Sequence, residues 1–166
     1  MRGMFDCCTK VKVLDVSKWD TSKVTNISDM FLECSNVKVL DVSNWNTSNV
    51  EDMRNAFDGC AALTVLDVSN WNTSKVKCME RMFYRCNSLE KLDLSNFDMS
   101  KVENIDYMFG YCQVLNEILV NQDWDISNIT NKSNLFVLCE KLPNYDGTVD
   151  ASKAYTGEGG YLTLKA

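Results

Sequence analysis

The apolar positions of this chain recur at a fixed step. Phe5, Phe31, Phe57, Phe83 and Phe109 are spaced by 26 residues, and Phe136 follows by 27. Cys8, Cys34, Cys60, Cys86, Cys112 and Cys139 repeat the same steps, as do Trp19, Trp45, Trp71 and Phe97, with Trp124 one place late. A period between about 20 and 50 residues signals a solenoid, in which each unit buries its apolar face only against its neighbours.

Within one unit, Val37 to Cys60, two patterns alternate. Val37, Leu40 and Val42 match Val11-Leu14-Val16, Leu63-Leu66-Val68, Leu89-Leu92-Leu94 and Leu115-Ile118-Val120, the alternation of a short parallel strand. After Trp45 and a Thr47-Ser48 pair come Val50, Met53, Ala56-Phe57 and Cys60. Steps of three and four predict a short helix or 3-10 turn. Ser48 with Glu51, and Ser100 with Glu103, have the spacing of a capping box, which places the helix start at the Thr-Ser pair. The expected fold is therefore α/β: a leucine-rich-repeat solenoid, with a parallel sheet on the concave face and short helices or 3-10 turns on the convex face. Residues 1–139 hold about five repeats, the first truncated, because Met1–Cys8 align with Met79–Cys86. Residues 140–166, glycine-rich from Gly147 to Gly160, are expected to form a C-terminal cap with a terminal strand. A solenoid that starts inside a unit has an open end. That points to an excised fragment, or to an edge through which the chain associates.

The segment Leu66-Asp67-Val68-Ser69-Asn70-Trp71-Asn72-Thr73-Ser74-Lys75-Val76, with Met79, Met82-Phe83 and Cys86, resembles the 26-residue repeat of bacterial surface proteins in the BspA-like leucine-rich repeat group. Gly159-Gly160-Tyr161-Leu162-Thr163 is similar to the closing segment that often follows the last repeat there. The resemblance implies a secreted or lipid-anchored cell-surface protein credited with adhesion, and supplies no catalytic motif. The sequence departs from the repeat at Ala56, Phe97, Met99 and Lys132, and by the extra residue before Trp124.

Composition narrows the chemistry. Seventeen basic against 23 acidic residues give a net charge of −6, the wrong sign for a nucleic-acid binder that works by counterion release. The absence of histidine excludes imidazole-activated nucleophiles and imidazole-ligated zinc. No run of 18 apolar residues offers a membrane span, and the N-terminus has no signal-peptide apolar region. No cofactor or metal is expected, and a signal or anchor would lie outside this chain.

Four constellations remain. Asp15, Asp41, Asp67 and Asp93 form a row on the concave sheet beside Val13, Val39, Val65 and Lys91 and the serines Ser17, Ser43, Ser69 and Ser95. Carboxylates one strand apart repel, so the row needs solvation and local serine or amide bonds, a basic protein partner, or calcium. The cysteine row sits on the apolar face of the turn, where a thiol acts as a small core hydrophobe; Cys7 and Cys78, off the row, are expected at the surface. The Trp row reads as a stacked core spine, against an exposed aromatic strip for glycans. Finally, Arg81 shares a phase with Tyr107 and Arg85 with Tyr111, with Tyr84 close by, a convex patch that does not repeat. Arg and Tyr anchor many interfaces, although intramolecular cation–π contacts alone would account for the pattern. The leading expectation is a non-enzymatic protein- or peptide-binding or adhesion module, its partner possibly a host extracellular protein, presenting the acidic concave face. A structural stalk that presents another domain is the alternative. An enzyme using paired aspartates needs unlike environments, which a repeated row does not supply.

Overall fold

The computed structural model describes residues 1–166. Its coils stack in register along two parallel ladders. The first holds β1 (Lys91–Asp93), β2 (Glu117–Val120) and β3 (Thr163–Leu164), in the order β1-β2-β3. Lys91 pairs with Glu117 and Leu119 with Thr163, and a bridge from Val39 to Val65 continues this row toward the N-terminus. The second ladder runs through Asn26, Asp52, Cys78, Asn104 and Asn131, each bridged in parallel to the next.

No helix forms. Over residues 53–60, where a helix is expected, Phe57 N–H donates to the Met82 carbonyl at 3.0 Å and Gly59 N–H to Tyr84 at 2.9 Å, both on the following coil. The intervening amides close local four-residue turns, Ala56 to Met53 and Cys60 to Phe57. The third residue of each of these turns, Asn55 or Gly59, has positive φ, as type II turns require. The same pair of left-handed residues recurs in each coil, at Asp29 and Glu33, Arg81 and Arg85, Tyr107 and Tyr111, Asn134 and Leu138. Two such turns in succession place apolar side chains at steps of three and four without helical bonding.

The capping boxes are likewise absent. Ser48 bonds back to Asn46 Oδ1 through both its hydroxyl (2.7 Å) and its amide (3.1 Å), while Glu51 pairs with Lys77 at 2.8 Å. Thr47 is buried and joins coils instead: its hydroxyl donates to the Asn72 carbonyl at 3.0 Å and accepts from the Asn72 amide at 2.8 Å. Thr21 and Thr73 do the same to Asn46 and Asp98.

The core is one continuous apolar cluster with two aromatic spines. Phe31, Phe57, Phe83, Phe109 and Phe136 stack in near-parallel succession at centroid separations of 5.6 to 6.0 Å. Trp19, Trp45 and Trp71 form the second, with Trp45 and Trp71 6.1 Å apart and 3° from parallel. The Trp71 indole N–H donates to the Val42 carbonyl of the preceding coil at 3.1 Å, and Trp45 does so to Val16. The Trp row is thus a core spine from Trp45 on. Trp124, displaced by the extra residue, leaves its buried indole nitrogen without a partner.

Residues 140–166 close against the last coil. Tyr161 is fully buried, packs edge-on against Phe136 at 5.3 Å, and donates its hydroxyl to Asp146, which also pairs with Lys153 at 2.7 Å. The one 3-10 turn, Ala151–Lys153, lies here, capped by the Asp150 carboxylate.

Candidate functional site

Two surfaces carry the side chains singled out by the sequence. On the sheet face, each aspartate of the row is engaged by the serine two residues on. Asp15 accepts from the Ser17 hydroxyl at 2.7 Å and amide at 3.2 Å, with the same pairs at Asp41–Ser43 and Asp67–Ser69. The Ser17 bonds hold the Asp15 carboxyl below its ordinary range. Asp93 differs: burial pushes its pKa up, but bonds from Lys165 at 2.7 Å and from Ser95 outweigh this and leave it low. Local hydrogen bonding therefore makes the like-charged row tolerable.

Beside the aspartates stands an apolar strip. Val13 is 81% exposed and Val39 and Val65 are each 63% exposed, at one phase of the repeat, with Val39 and Val65 bridged in parallel. Exposed Lys12 and Lys38 flank the valines on the side opposite the aspartates. Lys12, Val13, Asn36, Lys38, Val39 and Ala62 line a groove of about 500 Å³. Further along, the strip ends in the Lys91–Glu117 ion pair at 3.0 Å.

The arc face, made by the paired turns, assembles the non-repeating patch. The Arg81 guanidinium lies 5.0 Å from the Tyr84 ring centroid and 5.3 Å from that of Tyr107. Arg85 lies 5.1 Å from Tyr84 and 5.7 Å from Tyr111. Tyr84 meets Tyr107 and Tyr111 edge-on, at 5.9 and 5.2 Å. All five predicted residues therefore come together around the buried Tyr84. Arg81, Arg85, Tyr107 and Tyr111 each occupy a left-handed backbone position. For a residue with a Cβ that conformation costs about 1–2 kcal/mol, so four long side chains are displayed here at a local expense.

The family model for Mycoplasma protein of unknown function, DUF285, matches residues 1–122 and 67–156. The chain belongs to this family. No curated protein and no solved structure matches it.

In this DUF285 chain the sequence pattern gave no notice of one further arc-face residue. Asp58 is only 6% exposed, in the row that elsewhere holds Asp6, Leu32, Tyr84, Gly110 and Val137. Burial pushes its carboxyl up to about 6, against the opposing pull of Arg81 and Arg85, while Glu33 and Asp29 push the same way as burial. Asp6 holds the same phase as an exposed carboxylate, so residue type alone did not single Asp58 out. The cysteine row is structural. Cys34, Cys60, Cys86, Cys112 and Cys139 are buried, and each thiol donates to a Phe carbonyl of the preceding coil at 2.8 to 3.3 Å. Burial pushes the Cys34 thiol up to about 11 and those of Cys86 and Cys112 well above the ordinary value. All eight thiols are free; Cys7 is exposed and Cys78 partly so. No three carboxylate or thiol groups converge to hold a metal ion.

Proposed function

We propose that this chain is a non-enzymatic interaction module that binds an extended protein or peptide segment along its sheet face. The observation that carries the reading is the row of Val13, Val39 and Val65, which stays exposed in an otherwise well-buried array, between exposed lysines and the Asp15, Asp41 and Asp67 carboxylates. An apolar strip rimmed by charge favours a partner with apolar anchors and basic neighbours. A spacer has no use for such a strip, which weighs against the stalk reading. The resemblance of the repeat to that of BspA-like surface proteins supports placing the module in adhesion at a bacterial cell surface.

Selection of displayed random peptides on the folded protein tests this. Enriched peptides should alternate apolar and basic residues, and lose at least about tenfold in affinity against V39E/V65E or D41K/D67K, since each removed contact is worth roughly 1–3 kcal/mol. Peptides that bind these variants as tightly as the wild type would rule out the sheet face.

A further inference from the structure

The arc face carries two guanidiniums that feel the buried Asp58 carboxyl but form no ion pair. Although the chain has 23 acidic side chains, no carboxylate lies within ion-pair distance of Arg81 or Arg85. Both rest against two tyrosine rings. Tyr84 lies flat over Gly110, where an added Cβ would come within 3.0 Å of its ring, and both arginines lie about 5 Å from its centroid. Tyr107 and Tyr111, on the next coil, adjoin Tyr84 edge-on and lie 5.3 Å from Arg81 and 5.7 Å from Arg85 respectively, so each arginine rests against a corner of two rings. A guanidinium fixed through its face keeps its edge N–H groups for a planar oxyanion. Arg81 Nε is buried and, like Asn55 Oδ1 at the same phase on the preceding coil, has no hydrogen-bond partner, so an external oxyanion has only the terminal N–H groups of Arg81 to reach. Neither arginine is a product of the repeat: the same two phases hold Asp29 and Glu33 on one coil and Asn55 and Gly59 on another.

We infer that Arg81, Arg85 and the three tyrosines form a docking site for an acidic peptide segment of a protein partner, with carboxylates on the guanidiniums and its neighbouring side chains on the partly exposed rings of Tyr107 and Tyr111. This site is separate from the sheet face. Asp58 on the preceding coil and Asp29 and Glu33 one coil further back repel an anion, so the segment is favoured on the Tyr107 and Tyr111 side of the arginines.

The test follows the side-chain Nε–Hε resonances of ¹⁵N-labelled protein, with Arg81 and Arg85 assigned from R81K and R85K. An acetylated, amidated Glu-rich octapeptide should shift both signals, and its Gln counterpart should shift neither. The R81K/R85K double variant keeps the charge but loses the fork, and should bind the Glu peptide roughly 10- to 100-fold more weakly while its backbone amide spectrum stays folded. The inference is overturned if the Glu peptide moves neither signal, if the double variant binds it as well as the wild type, or if inorganic phosphate moves both signals at lower concentration than the peptide.

Discussion

Truncating Trp71 to alanine strikes the centre of the stack. Its side chain is 1% exposed, lies 6.1 Å from and parallel to Trp45, leans on Phe57 at 5.9 Å, and donates its indole N–H to Val42 at 3.1 Å. Emptying a buried aromatic site costs about 3–5 kcal/mol, and the lost hydrogen bond about 1 more. The expected loss is therefore about 4–6 kcal/mol, against a typical total of about 5–15 kcal/mol for a domain. Trp71→Phe should cost much less, about 1–2 kcal/mol, because Phe97 already fills the same row one coil on and the Val42 carbonyl keeps the Trp45 backbone amide as a donor. Urea unfolding followed by far-UV circular dichroism gives both values. A loss below about 1 kcal/mol for Trp71→Ala would refute the buried spine.

Three further outcomes follow from the same geometry. An exposed-thiol reagent should modify Cys7 quickly in the native protein and reach Cys60, Cys86, Cys112 and Cys139 only on unfolding; rapid native labelling of those four would contradict the buried row. Asp58→Asn should raise the melting temperature at pH 8. The wild-type carboxyl has a folded pKa raised to about 6, so it is comfortable below its ordinary unfolded pKa and costs stability as pH rises through 6. The gain should accordingly fade toward pH 4, and a gain independent of pH would mean the carboxyl is not strained by burial. Thr47→Val should destabilise by about 1–3 kcal/mol, measured by urea unfolding, because the methyl replaces a hydroxyl that serves both polar groups of Asn72.

The sequence made the repeat length, the strands at Leu92 and Ile118, the buried Phe, Trp and Cys spines and the gathering of Arg81, Tyr84, Arg85, Tyr107 and Tyr111 legible, because stacked identical units turn a linear period directly into spatial rows. The strands expected over residues 11–16, 37–42 and 63–68 are reduced to the single Val39–Val65 bridge. What it hid was backbone conformation. Met53, Ala56, Phe57 and Cys60 have the spacing of a helical face, and two consecutive tight turns generate that spacing equally well. The residues that mark such turns are usually Gly or Asn, as at Asn55 and Gly59, but Arg81, Arg85, Tyr107 and Tyr111 adopt the same left-handed positions and conceal them. The Thr-Ser pair misled for a related reason: a hydroxyl that could cap a helix here bonds across to the next coil. Asp58 escaped notice because burial of a single charge in one coil leaves no trace in a period shared by all of them.

The central claim is that successive 26-residue coils bond directly to one another through the arc, with no helix between them. Scalar couplings across hydrogen bonds, read as correlations from an amide nitrogen to its acceptor carbonyl carbon, test it most directly. The amide nitrogens of Asn55, Phe57 and Gly59 should correlate with the carbonyls of Glu80, Met82 and Tyr84 on the following coil. Correlations from Phe57 to the carbonyl of Met53, and from Gly59 to that of Asn55, would be those of a helix and would contradict the account.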